Sequence, residues 1–344
     1  MNETSFYHAI AIAARGDYHA IKKYRAGRDS WEAAYDALAG KGVALPDPAR
    51  ERDRLEQLGI QLVLSSHEEY PERLRHIPHP PFGIYVRGAI AAVSANPLTL
   101  AIVGTRRASA DGKKTARDFA RELACAGFTI ASGLAFGIDA AAHEGCLDAG
   151  GVTVAVLAGG LDSVYPLSHE ALAQKILAHG GAIISEYPPG EEPFGYRFIE
   201  RNRLISGISR AVLIVEAPES SGALATARYA VEQNRDLFVV PGAIAAANFK
   251  GSHTLIRQGA ELVTSPDEIL EAYDIVKKEK AVAQRRGESP EEILILEALE
   301  TISAPADVDK IITMTRLEPR IVNRTLSFLI LRGIVKETGG GYTI

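Results

Sequence analysis

The chain has 344 residues, 47% hydrophobic and 24% charged, with a net charge of −5. This is the composition of a water-soluble globular protein long enough for more than one domain. It excludes a uniformly basic nucleic-acid binder, so any polyanion site must be a local cluster. No apolar run approaches the ~20 residues of a membrane span, and Met1-Asn2-Glu3-Thr4 lacks the opening of a signal peptide. Cys125 and Cys146, the two cysteines, sit on predicted helices among apolar neighbours. They are expected as buried reduced thiols, which points to a cytoplasmic protein without a membrane partner.

Residues 1–95 show short helical patterns at 6–14, 18–24, 30–38 and 47–58, separated by Gly27, Gly40 and Gly42. A small helical domain is predicted, ending in a connecting segment with Tyr70-Pro71 and Pro80-Pro81. From 96 to 275 the pattern changes. Apolar β runs at 100–103, 128–131, 152–157, 182–185, 211–215 and 237–240 alternate with helices predicted at 115–126, 140–149, 170–179 and 224–233. Such alternation predicts a doubly wound, Rossmann-like α/β core on a mostly parallel sheet. Residues 276–288 are polar and read as a linker. Ser289-Pro290-Glu291-Glu292 then carries a helix cap, a proline at the first helical position and early acids. Three helices (293–299, 307–312, 318–331) and a hairpin over 333–344 make 289–344 a winged-helix pattern. Arg316, Arg320, Arg324 and Arg332 there are offset by five glutamates between Glu288 and Glu300. A protein-contact or regulatory role is expected of it ahead of DNA reading.

In a parallel sheet the carboxyl ends of the strands share one edge, where ligands bind. Arg106, the turn Ser132-Gly133-Leu134-Ala135-Phe136-Gly137-Ile138-Asp139, Ser221-Gly222 and Pro241-Gly242 all follow predicted strands and are expected to converge there. Gly133 and Gly137 suit close backbone approach to a ligand, the following helix offers amides to an anion, and Asp139 is placed to cap it. Arg106 and Lys250 lie in or beside these turns. In Phe194-Gly195-Tyr196-Arg197-Phe198-Ile199-Glu200-Arg201-Asn202-Arg203, aromatics alternate with arginines before a helix. Either bases stack there and phosphates pair, or Tyr196 and Phe198 simply pack while Arg201 and Arg203 bridge to acids such as Glu186. No phosphate-loop or dinucleotide fingerprint occurs. Asp139, His143 and Glu144 fall short of a metal set, and Ser132 reads as a turn residue rather than a nucleophile. No catalytic residue, metal or cofactor is expected.

The ordered motifs resemble the DNA-processing protein A (DprA/Smf) family over nearly the whole chain. They are Tyr70-Pro71-x-x-Leu74, Ile102-Val103-Gly104-Thr105-Arg106, Ser132-Gly133-x-Ala135-x-Gly137-Ile138-Asp139-x-x-x-His143, Ser185-Glu186-Tyr187, Phe198-x-x-Arg201-Asn202-Arg203, Ser221-Gly222-x-x-x-Thr226-Ala227 and Pro241-Gly242. The resemblance implies a single-stranded DNA-binding protein that protects incoming DNA, forms a homodimer and loads the recombinase RecA in natural transformation. It also implies a SAM-like helical front domain and an optional winged helix. Carried over by position, Arg106 contacts phosphate, Phe198 stacks on or wedges between bases, and Arg201 and Arg203 shape the pocket. Gly195 occupies the family's usual basic position, for which Arg197 is the substitute. His169 and His253 stand where the family commonly has Asn, which implies pH-sensitive binding. The competing class is a nucleotide N-glycosidase of the lysine-decarboxylase-like type. Its glutamate positions are filled here by Arg228 and Tyr229, which removes the carboxylate that hydrolysis needs.

Overall fold

The computed structural model describes residues 2–275, 289–301, 305–332, 334–338 and 341–343. They belong to two units, Met1–Val276 and Lys277–Ile344. The expected linker at 276–288 lies outside the described residues.

Four capped helices open the first unit: α1 (Glu3–Ala13), α2 (Tyr18–Arg25), α3 (Trp31–Ala39) and α4 (Pro48–Gln57). Asn2, Asp17, Ser30 and Asp47 each accept a backbone amide of the helix they precede, the usual device at a helix start. The next elements depart from the sequence expectation. Residues of the expected connecting segment form β1 (Gln61–Leu64), the short α5 (Glu72–Arg75) and β2 (Gly83–Gly88). β2 pairs antiparallel with β1 and with β6 (Ala182–Ser185), so the sheet begins before residue 95 and no break there divides the unit. An antiparallel edge needs no crossover helix, so these strands lack the alternation by which the others were recognised.

Six parallel strands fall close to their predicted positions: β3 (Thr99–Val103), β4 (Thr129–Ser132), β5 (Thr153–Val156), β6, β7 (Ala211–Ile214) and β8 (Asp236–Val239); the two-residue β9 (Glu261–Leu262), at the far edge, has no counterpart in the sequence expectation. The sheet order is β1-β2-β6-β5-β4-β3-β7-β8-β9. Alternate residues of β3 serve different cores. Ala101 and Val103 join Leu204, Ile205 and Ala227, from α10 (Gly195–Ile208) and α11 (Ala223–Glu232). Leu100 and Ile102 join Phe119, Leu123 and Ala142, from α7 (Ala110–Cys125) and α8 (Ile138–Asp148). Burial on both faces is why these strands read as unbroken apolar runs. The front helices pack on the sheet as well, since Phe6, Ile10 and Trp31 share a core with Tyr85, Leu157 and Ile183. Chain order reverses at β3, which sends β4, β5 and β6 to one side and β7, β8 and β9 to the other. That is a topological switch point, where a crevice opens at the strand ends.

Helices α6 (Ala91–Ser94), α9 (Glu170–Ala178), α12 (Lys250–Arg257) and α13 (Pro266–Glu271) also belong to the first unit. The second unit contains α14 (Pro290–Thr301), α15 (Val308–Thr315) and α16 (Pro319–Leu331), then β10 (Lys336–Thr338) paired antiparallel with β11 (Gly341–Thr343). Ser289 and Glu292 form the expected reciprocal cap, each side chain accepting the other's amide. Ile295, Leu299, Ile311, Val322 and Leu326 build its separate core. No helix among the described residues is long and apolar enough to cross a membrane. Cys146 is buried as expected, but Cys125 is exposed.

Candidate functional site

β3 and β7 end side by side, and the Thr105 amide donates to Glu216 O at 2.8 Å. Beyond them lies a crevice of about 870 Å³. Arg106, Phe198, Arg201, Asn202, Ser221, Gly222 and Thr226, seven of the expected site residues, line it. Its charged lining residues are three arginines (Arg106, Arg107, Arg201) against Asp139, a local excess of positive charge in an acidic chain.

Arg106 and Arg107 are exposed, and among the described residues no carboxylate pairs with either. The Arg106 guanidinium lies 4.5 Å above the centre of the half-buried Phe198 ring. Tyr165, 51% exposed, meets the same ring at 5.5 Å. At the crevice wall Phe198 thus carries the cation on its ring, with Tyr165 packed against it.

Arg201 plays a different part. It is buried, and its Nη1 donates to Gly133 O at 2.9 Å and to Val156 O, joining α10 to the ends of β4 and β5. Burial pulls its pKa down to about 10, with Asp139 opposing the drop, so it stays a cation at neutral pH. Burial also raises the Asp139 pKa, and the Arg201 charge offsets part of the rise. Asn202 accepts from Arg201 Nε at 3.2 Å and donates to Gly222 O at 3.2 Å, which ties the 221–222 turn to α10.

The Ser132–Asp139 turn is built otherwise than its glycines suggested. Asp139 does not cap α8. Gly137 holds the cap position, and the Asp139 carboxylate reaches back to the amides of Gly133 (3.1 Å) and Ala135 (3.5 Å). A Cβ at Gly133 would lie 2.7 Å from both Arg201 Nη2 and Asp139 Oδ2. One at Gly137, where φ is +82°, would overlap Thr105 O. Both glycines therefore admit the protein's own chain, and neither lines the crevice. The Ile138 amide donates to Thr105 O, so it is not open to an anion. Ser132 is buried and donates to Ile102 O at 2.6 Å, and His143 is buried against Thr153 Oγ1 at 2.7 Å.

Four expected residues lie elsewhere. Arg197 and Arg203 are buried in ion pairs with Glu191 and Glu186, on the other side of α10. For Arg203 this is the bridging alternative drawn from the sequence. Lys250 lines a separate groove with His253 and Arg257, and Gly242 packs under the Phe249 ring. Neither His169 nor His253 lines the crevice. Each bonds a backbone carbonyl, Leu134 O at 2.8 Å and Gly242 O at 3.1 Å, so the pH sensitivity implied by two imidazoles has no direct route to it.

Sequence reasoning missed Glu216 and Asn248. Glu216 is fully buried and accepts from the Ser109 amide (3.0 Å), the Ser109 hydroxyl and Asn248 Nδ2 (3.0 Å). Ser109 caps α7, so one carboxylate bolts together the Arg106 loop, the end of β7 and the 247–249 turn. The signal available was an acid directly after the all-apolar strand run 211–215.

A doubly wound α/β protein with an arginine- and aromatic-lined crevice at its switch point is the class that fold and site define. The chain belongs to the DNA recombination-mediator protein A family, whose model matches residues 61–274. It is 45% identical to protein Smf of Escherichia coli over 217 residues, covering 63% of this chain and 58% of that protein. Among known structures it is similar to DNA processing protein A (DprA) of Streptococcus pneumoniae, with 31% identity and a TM-score of 0.63, over 78% of this chain and 93% of that one. It is also similar to DNA processing protein A of Helicobacter pylori, described for its single-stranded DNA binding mode. That match has 31% identity and a TM-score of 0.56, and covers 62% of this chain and 95% of that one.

Proposed function

We propose that the crevice binds single-stranded DNA, phosphates pairing with Arg106 and Arg107 and a base stacking on Phe198. The observation that carries this reading is the Arg106 guanidinium, 4.5 Å above Phe198 and without a carboxylate partner among the described residues, in a crevice with three arginines and one acid. Paired cation and aromatic faces suit single strands, because every base has a π-face and every nucleotide a phosphate. The similarity to the Helicobacter pylori protein supports it. Protection of incoming DNA, homodimer formation, delivery of the strand to RecA and a cytoplasmic setting complete the proposal, with family membership as their support. The second unit then serves a protein partner or a regulatory surface as a winged helix, for which three helices and a terminal hairpin are the support.

Binding without catalysis is favoured over nucleotide hydrolysis by the state of the nearby acids. Asp139 and Glu216 are both occupied by backbone amides, and Arg228 and Tyr229 stand where a glycosidase would carry glutamate. Arg106→Ala tests the proposal. Oligothymidylate affinity should fall by about 1.5–3 kcal/mol, the scale of a charged hydrogen bond, with the melting temperature unchanged. Undiminished affinity would move the site elsewhere.

A further inference from the structure

Helix α10 carries chemistry on two faces. Phe198, Arg201 and Asn202 face the crevice, whereas Arg197, Glu200 and Arg203 line a second cavity of about 490 Å³. Further walls come from the α1–α2 connection (Arg15 to Asp17) and the start of α2, from His79, and from Tyr187, Tyr196 and Tyr229. The volume is that of a small-molecule site, and nothing in the crevice chemistry uses it.

The inner wall holds the buried Glu186–Arg203 ion pair. Arg203 is 8% exposed, and its Nη1 is buried without a hydrogen-bond partner among the described residues. A buried, unpaired guanidinium N–H is costly and rare. Burial raises the Glu186 pKa, with Arg203 opposing the rise. The cavity wall thus carries a guanidinium N–H that lacks an acceptor, on the residue that pairs with Glu186. Around them Tyr187, Phe194 and Tyr196 cluster on the Arg197 guanidinium at 4.5, 5.2 and 5.9 Å. Phe194 and Tyr196 lie parallel, 41% and 59% exposed. The charged lining residues are Arg15, Arg197 and Arg203 against Asp17, Glu186, Glu200 and Glu232, three against four. Unlike the crevice, this cavity does not gather anions.

We propose that this second cavity binds a purine base, guanine in preference, with its phosphate kept outside. The aromatic walls hold the flat ring. Guanine O6 accepts from Arg203, as in the commonest arginine–guanine contact, while N1–H and the exocyclic amine donate to the Glu186 carboxylate. Adenine lacks that run of one acceptor beside two donors, and a pyrimidine offers less surface to stack. The base arrives either as a free nucleoside or as an unpaired guanine of a strand.

Calorimetric titration of the full chain with guanosine, adenosine and guanosine 5′-monophosphate tests this, beside oligothymidylates with and without a single dG. Guanosine should bind more tightly than adenosine or the monophosphate. If the natural source is a strand, the dG oligomer should outbind the all-thymidine one instead. Arg203→Lys keeps the charge beside Glu186 but loses the fork, and should weaken guanine binding about tenfold or more, as should Tyr196→Ala, the scale of one lost stacking partner. Tyr196 is largely exposed, so its variant carries the test even if Arg203→Lys fails to fold. Adenosine binding as tightly as guanosine, no guanine preference in either form, or guanine binding indifferent to Tyr196→Ala would overturn the proposal.

Discussion

Replacing Gly137 by alanine tests how the crevice wall is held in place. Gly137 has φ +82° and ψ −119°, a conformation that side chains rarely tolerate and that costs about 1–3 kcal/mol. Its Cβ would overlap Thr105 O and lie 2.9 Å from Arg106 C and O, which are backbone atoms with little freedom to yield. Overpacking of this kind adds about 1–3 kcal/mol, so Gly137→Ala should destabilise the protein by about 2–6 kcal/mol. The same displacement moves the Arg106 peptide, so oligothymidylate affinity should fall too, although Gly137 does not line the crevice. Gly150→Ala is the internal control. Its φ is +67°, but nothing lies within 4 Å of a Cβ there, so only the backbone cost of about 1–2 kcal/mol applies. Urea denaturation and fluorescence anisotropy on both variants give the comparison. Equal destabilisation by the two substitutions, or full DNA affinity in the Gly137 variant, would refute the reasoning.

Phe198→Ala should cost about 1–3 kcal/mol of single-strand affinity, the scale of one stacked base, with little change in thermal stability because the ring is only half-buried. A large drop in melting temperature with unchanged affinity would make Phe198 a packing residue. A pH effect on stability follows from two buried imidazoles. Burial lowers the pKa of His8 to about 4 and of His143 to about 3, against 6.5 when exposed. Their stabilisation is present above pH 6.5 and is lost as pH falls, because the unfolded chain takes up protons that the folded one refuses. The slope grows from about half of 1.4 kcal/mol per pH unit for each group at pH 6.5 to nearly all of it at pH 5, so lowering the pH over that range should cost about 3 kcal/mol. Urea midpoints across that range should flatten in the double variant His8→Gln/His143→Gln, and an unchanged slope there would reject the assignment.

The core strands and the crevice position were legible in the sequence because parallel strands buried on both faces leave unbroken apolar runs, and their carboxyl ends must share an edge. β1 and β2 were hidden because antiparallel pairing at the sheet margin requires no crossover helix, and the single short turn of α5 between them does not give the strand–helix alternation of the core. Side-chain direction along α10 was also hidden. Arg197, Arg201 and Arg203 read as one basic cluster, yet the helix turns Arg197 and Arg203 onto Glu191 and Glu186 and leaves Arg201 at the crevice. The glycines of the 132–139 turn suit close approach by a ligand, but close approach by Arg201 and by the Thr105–Arg106 backbone uses the same property. Glu216 had a visible signal, an acid closing an apolar strand, but its partners Ser109 and Asn248 lie 107 and 32 residues away.

Single-stranded oligothymidylate titrated against the equivalent duplex over a range of salt concentrations tests the central claim most directly. The crevice presents two guanidinium groups, without carboxylate partners among the described residues, beside the Phe198 ring, so the single strand should bind far more tightly than the duplex. Its affinity should fall with salt at a log–log slope of about −0.7 per neutralised phosphate, which puts the slope near −1.4 for Arg106 and Arg107 together. Equal affinity for the duplex, or a response flat in salt, would contradict the account.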